Sequence, residues 1–169
     1  MYRKITVLAI LFIVVLLAGC KPKTFTATLN KSLDTVEVGS TWVDAGCETD
    51  GTDCVTIKED VDTTTIGVYE VFYQATKKDA TMYLKRVVTV VDTIKPVITL
   101  QPGVDTIQLH ETWVNAGCTA TDNYDDSVTC SEQSSTLNTA VVGEYIITYV
   151  AVDSSGNSRT MERHVFIIE

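Results

Sequence analysis

Beyond the first 28 residues, apolar side chains recur two positions apart. Tyr145, Ile147, Tyr149 and Ala151 would line one face of an extended strand, and Tyr69, Val71, Tyr73 and Ala75 would do the same earlier in the chain. Apolar runs are short and rich in Thr, Val and Ile, and no sustained 3.6-residue period follows the N-terminus. Strands are expected at Val97-Ile98-Thr99-Leu100, Thr106-Ile107-Gln108-Leu109 and Met161 to Ile168. In the first half they are expected at Thr35-Val36-Glu37-Val38 and Tyr83 to Val91. Asp153-Ser154-Ser155-Gly156-Asn157 reads as a hairpin turn in which Gly156 supplies a positive φ. The fold class is all-β, and several strands in each half with frequent turns point to sandwiches.

The pattern is written twice. Thr41-Trp42-Val43-Asp44-Ala45-Gly46-Cys47 returns 71 positions later as Thr112-Trp113-Val114-Asn115-Ala116-Gly117-Cys118. The segment Gly67 to Ala75 returns 76 positions later as Gly143 to Ala151. Cys47 maps to Cys118 at the first offset and Cys54 to Cys130 at the second, so the length difference lies between the cysteines of each copy. A disulfide across that loop would let it vary in length while both ends stay fixed. Four cysteines allow three connectivities, of which the repeat favours Cys47–Cys54 and Cys118–Cys130.

The N-terminus is set apart from this pattern. Arg3 and Lys4 precede a run from Ile5 to Gly19 that is apolar apart from Thr6. At 15 residues the run is short of the roughly 20 that span a bilayer as a helix. It ends in Leu17-Ala18-Gly19-Cys20, which resembles the lipobox of bacterial lipoprotein signal peptides. The resemblance implies cleavage before Cys20, lipidation of its thiol and anchoring at the extracytoplasmic face of a bacterial cell membrane. The expected organisation is a signal peptide over 1–19, a lipidated tether over 20–28, one domain over 29–92 and a second over 93–169. Asp92-Thr93-Ile94-Lys95-Pro96 forms the junction, where Pro96 restricts Lys95 to extended geometry. Export also suits disulfides, and small domains need such staples.

Composition narrows the partners. The chain carries 13 basic and 22 acidic residues, a net charge of −9, and loss of the leader removes Arg3 and Lys4 but no acid. Nucleic acid is not an expected partner, because its binders present a basic footprint. The membrane is reached through the lipid, not through a cationic surface.

Copy two carries a specific resemblance. Lys95 to Leu100, Ala120-Thr121-Asp122-Asn123, and Gly143 through Asp153 to Asn157 look like the bacterial immunoglobulin-like domains of the DUF5011 and HYR-related group. Those are small β-sandwiches, so the resemblance implies two tandem Ig-like sandwiches following a lipoprotein signal peptide. It also implies a non-catalytic role at the cell surface, in adhesion or in binding a protein. A carbohydrate-binding module and a structural spacer of an envelope complex are the alternatives. In copy one Lys77-Lys78-Asp79-Ala80 replaces the Asp-x-x-Gly-Asn turn.

Candidate chemistry is sparse. Asp122, Asn123, Asp125 and Asp126 cluster between Cys118 and Cys130, and Asp153 could approach from the hairpin. Calcium takes six to eight oxygen ligands, many of them carboxylate, so these five form a candidate set. The same residues equally suit a solvated turn, the simpler expectation. Trp42 and Trp113 are expected in the core beside the bridges, although an exposed Trp could stack on a sugar. Tyr73 and Tyr149 are expected in the core, with hydroxyls on backbone acceptors. His110 and His164 occupy non-equivalent positions, and no H-E-x-x-H, G-x-S-x-G or phosphate-binding glycine loop is present, so no enzyme is expected.

Overall fold

The computed structural model describes residues 25–50 and 53–169. The leader, Cys20 and most of the expected tether lie outside the described residues. The chain forms two compact units, the first ending at Val91 and the second running Asp92–Glu169.

Each unit is built from six strands in the same order. The first contains β1 (Ala27–Leu29), β2 (Thr35–Glu37), β3 (Cys47–Thr49), β4 (Asp53–Glu59), β5 (Gly67–Lys77) and β6 (Ala80–Val91). The second contains β7 (Val97–Leu100), β8 (Thr106–Gln108), β9 (Cys118–Thr121), β10 (Cys130–Ser135), β11 (Gly143–Val152) and β12 (Ser158–Ile168). In the first unit β1 pairs with β3, and a four-stranded sheet runs β2-β6-β5-β4; in the second β7 pairs with β9, and the order is β8-β12-β11-β10. Each four-stranded sheet has one parallel pair, β2 with β6 and β8 with β12. Even the irregularities are duplicated. A bulge between Thr56 and Lys58 reappears between Glu132 and Ser134, where an extra residue bends the edge strand.

The alternation predicted for β5 and β11 decides which face is buried. Val71, Tyr73 and Ala75 are buried, as are Ile147, Tyr149 and Ala151. Val88 and Val90 meet the first set from β6, and Val165 and Ile167 meet the second from β12. The two-stranded sheets close the sandwiches: Leu29 and Cys47 pack on the core of unit one, and Leu100 and Cys118 on that of unit two.

Two boundaries differ from the sequence expectation. Phe25 and Ala27 are buried beside Ala75, and β1 begins at Ala27, so the tether expected over 20–28 gives way to folded chain by Phe25. An apolar residue that covers a sheet end is worth burying whatever its distance from a predicted strand. Asp92, expected to close the first domain, belongs to the second, where its carbonyl accepts a hydrogen bond from Asn157 Nδ2 at 3.2 Å.

Candidate functional site

The duplicated segment ending in each first cysteine builds the same turn twice. Asp44 Oδ1 accepts the Gly46 N–H at 2.9 Å, and Asn115 Oδ1 accepts that of Gly117 at 2.8 Å. Gly46 and Gly117 take φ of 70° and 77°, a left-handed conformation that suits glycine. The next residue is the cysteine. Cys47 at the start of β3 is bonded to Cys54 in β4, with Cα atoms 5.9 Å apart, and Cys118 in β9 to Cys130 in β10, at 5.8 Å. Each bridge therefore joins the two-stranded sheet to the edge of the four-stranded one.

The glycine carbonyls receive a buried arginine that sequence reasoning did not single out. Arg86 in β6 is 2% exposed and Arg163 in β12 is 3% exposed. Arg86 donates through Nη2 to the carbonyls of Asn30 and Gly46, both at 2.9 Å. Its Nη1 reaches both carboxylate oxygens of Asp34, at 3.0 and 3.2 Å, and its Nε donates to the Tyr73 hydroxyl at 2.9 Å. Arg163 repeats the arrangement through the Gln101 and Gly117 carbonyls and Asp105. A buried guanidinium requires such partners, since an unpaired charge in the core costs several kcal/mol. The legible signal was alternation: Arg86 shares its face with Val88 and Val90, and Arg163 with Val165 and Ile167.

The core tyrosines end on side chains instead of the backbone acceptors expected. Tyr73 donates its hydroxyl to Asp44 Oδ1 and Tyr149 donates to Asn115 Oδ1, each at 2.5 Å. Burial, then the hydrogen bond to Asp44, pushes the Tyr73 hydroxyl up to about 12. Burial alone would raise the Asp44 carboxyl, but hydrogen bonds from Tyr73, Gly46 and Thr56 and the Arg86 charge outweigh it and hold it below the usual range. These groups lock the turn to the sheet; they are architecture.

Trp42 and Trp113 are half-buried and pack against the core. Trp113 Nε1 donates to the Val104 carbonyl at 2.9 Å. Around it lies an open groove lined in part by Val104, Ile107 and Val114. Val104 and Val114 are 69% and 76% exposed, and their counterparts 71 positions earlier, Leu33 and Val43, are 82% and 74% exposed. Some other exposed apolar residues are not kept: Val55 and Tyr83 on the outer face of unit one correspond to Ser131 and Thr160 in unit two, whereas Ile66 and Val142 are exposed at equivalent positions. The apolar pair beside the tryptophan is thus an exposed feature that both copies retain.

The five candidate calcium ligands do not form one set. Asn123 and Asp126 are exposed. Asp125 is engaged with Ser154, accepting from its N–H at 2.6 Å and its hydroxyl at 2.7 Å, bonds that also depress its carboxyl pKa. Asp122 and Asp153 do converge, on a third residue, Asp92 of the junction. Carboxylate oxygens of Asp92, Asp122 and Asp153 lie within 4.8 Å of one another. Asp92 was missed because the chain brings it to the cluster from 30 residues before Asp122. Neither histidine joins a site. His110 is exposed, and His164 pairs through Nδ1 with Glu144 at 2.6 Å.

The comparison with known families meets this duplicated geometry directly. The family described as "Bacterial surface protein, Ig-like domain" matches residues 28–90 and again 102–167, one match for each unit. The chain belongs to this family of bacterial surface Ig-like domains. Membership places the protein at a cell surface and accounts for the paired sandwiches. A relative is an uncharacterized 81.3 kDa protein of Acholeplasma phage L2, 34% identical over 111 residues, which cover 61% of this chain and 15% of the relative. The chain thus spans a small part of that relative's length. Within this surface Ig-like protein, the features repeated in both modules include the bridges, the buried arginines and the exposed apolar pairs.

Proposed function

We propose that this chain is a lipid-anchored surface protein whose two Ig-like modules act non-catalytically, by binding a protein partner in adhesion. The observation that carries the reading is the exposed apolar pair repeated in both modules, Leu33 with Val43 and Val104 with Val114. Exposed apolar groups retained together mark contact surfaces more often than scattered ones do. Two like patches on one chain suit a repetitive or bivalent partner, for which avidity exceeds single-site affinity by roughly 10²–10⁴-fold. The basic start, the apolar run and Leu17-Ala18-Gly19-Cys20 support anchoring through Cys20. With two acyl chains such an anchor holds stably.

The test is capture of envelope proteins and of arrayed glycans by the full chain and by two variants, Val43→Ser and Val114→Ser. A protein ligand whose retention falls steeply in each single variant and disappears in the double variant supports the reading. Retention unaffected by both, or a glycan ligand alone, overturns it. Mass spectrometry of the mature N-terminus tests the anchor, and an unmodified Cys20 overturns that part.

A further inference from the structure

We infer that the second module binds a calcium ion between the carboxylates of Asp92, Asp122 and Asp153. Three segments far apart in sequence deliver them: the first residue of the module, the loop between the bridged cysteines, and the turn between β11 and β12.

Each carboxylate is oriented by donors around it, and the Ser155 hydroxyl also bonds that of Asp92. Asp92 Oδ1 accepts the Ile94 N–H at 3.1 Å. Asp122 Oδ1 accepts those of Tyr124 at 3.0 Å and Asp125 at 3.3 Å. Asp153 Oδ1 accepts that of Asn157 at 2.7 Å. The Asn157 amide also donates to Asp153 Oδ2 at 2.9 Å and to the Asp92 carbonyl at 3.2 Å, which ties two of the three segments together. One oxygen of Asp92 and one of Asp122 are left over. Both Oδ2 atoms are buried and have no hydrogen-bond partner among the described residues. Asp92 as a whole is 7% exposed, as is Asp153. A buried carboxylate oxygen without a donor is costly, and three carboxylates this close repel one another. Among the described residues no lysine, arginine or histidine forms an ion pair with any of the three. A cation supplies what the side chains lack.

Module one shows the alternative solution. Beyond the second cysteine the copies are 76 positions apart, so Lys77 stands where Asp153 stands. The Lys77 ammonium binds both the Asp50 carboxylate and the Asp50 carbonyl, each at 3.0 Å. Where module one carries its own positive charge, module two carries a third acid. The all-oxygen donor set, irregular and loop-borne, favours calcium over magnesium, which demands near-octahedral geometry and gives up its waters reluctantly.

Calorimetric titration of the full chain with calcium chloride tests the site. The expected result is one ion per chain with a dissociation constant on the order of 0.1–1 mM, as in extracellular modules, weaker binding of magnesium, and a calcium-dependent rise in the melting temperature of the second module. Asp92→Asn and Asp153→Asn should each abolish binding, whereas Asn123→Ala and Asp126→Asn should leave it unchanged. Asp153→Lys should fold without calcium and melt at a temperature indifferent to it, which separates loss of the site from loss of the fold. The inference is overturned if the wild-type chain shows neither heat nor a melting shift at millimolar calcium, or if binding survives in Asp92→Asn and Asp153→Asn.

Discussion

Asp44 and Asn115 hold equivalent places in the two modules, and each accepts the hydroxyl of a core tyrosine at 2.5 Å. The geometry is shared but the charge is not. Asp44 lies 3.6 Å from Arg86 Nε and its carboxyl titrates below the usual carboxylate value. A group whose folded pKa is depressed contributes stability that is present above its unfolded value and lost as pH falls through the folded value. Module one should therefore lose stability below the ordinary carboxylate pKa of about 4, in a step that module two lacks at this position. Acid titration of single-tryptophan variants, Trp113→Phe to follow module one and Trp42→Phe to follow module two, reads the difference. Asp44→Asn should cost module one about 1–2 kcal/mol at neutral pH and flatten its acid dependence; a pH profile unchanged by the substitution would contradict the assignment.

Removal of a buried guanidinium should act unequally in the two modules. Arg86 satisfies two carbonyls, a carboxylate and a hydroxyl, whereas Arg163 Nε has no partner among the described residues. Arg86→Met should destabilise module one by about 3–5 kcal/mol, on the scale of its whole stability. Arg163→Met should cost module two less. Urea midpoints read by tryptophan fluorescence compare them, and equal losses would show that the extra bonds of Arg86 carry no weight.

Each bridge spans a short segment, 7 residues in module one and 12 in module two. Loop-entropy arithmetic gives about 2.5–3 kcal/mol apiece, slightly more for the longer loop. Reduction, or the paired substitutions Cys47→Ala with Cys54→Ala and Cys118→Ala with Cys130→Ala, should lower each module's urea midpoint independently. A loss in one module caused by opening the other's bridge would contradict this expectation.

His110 takes φ of 66° where its counterpart Gly39 takes 77°. Both backbone N–H groups donate across the module, to Thr139 O at 2.8 Å and to Thr63 O at 2.7 Å, so the conformation is held in place. A left-handed residue with a Cβ costs about 1–2 kcal/mol, of which glycine's greater unfolded-state freedom returns a part. His110→Gly should raise the stability of module two by up to about 1 kcal/mol, and Gly39→His should lower that of module one by a similar amount. Opposite signs in thermal melts would show that the His110 side chain makes a compensating contact.

The duplication, the strand faces and the cysteine bookkeeping were legible in the chain because they are local or periodic. Alternation at Tyr145, Ile147, Tyr149 and Ala151 states which side is buried whatever lies against it, and a shift in repeat offset needs only counting. Asp125 looked as good a ligand as Asp122 because residue type and spacing do not reveal that its oxygens face Ser154. Phe25 looked like tether because nothing around it has a strand's period.

What only the tertiary structure decided were the partners of charged groups. Arg86 is satisfied by residues 40, 52 and 56 positions away, and Asp92 meets Asp122 and Asp153 across two long stretches of chain. A strand's face follows from a two-residue period that the backbone imposes at every position. The meeting of three loops follows from how both sheets close over one core, and no local period encodes it.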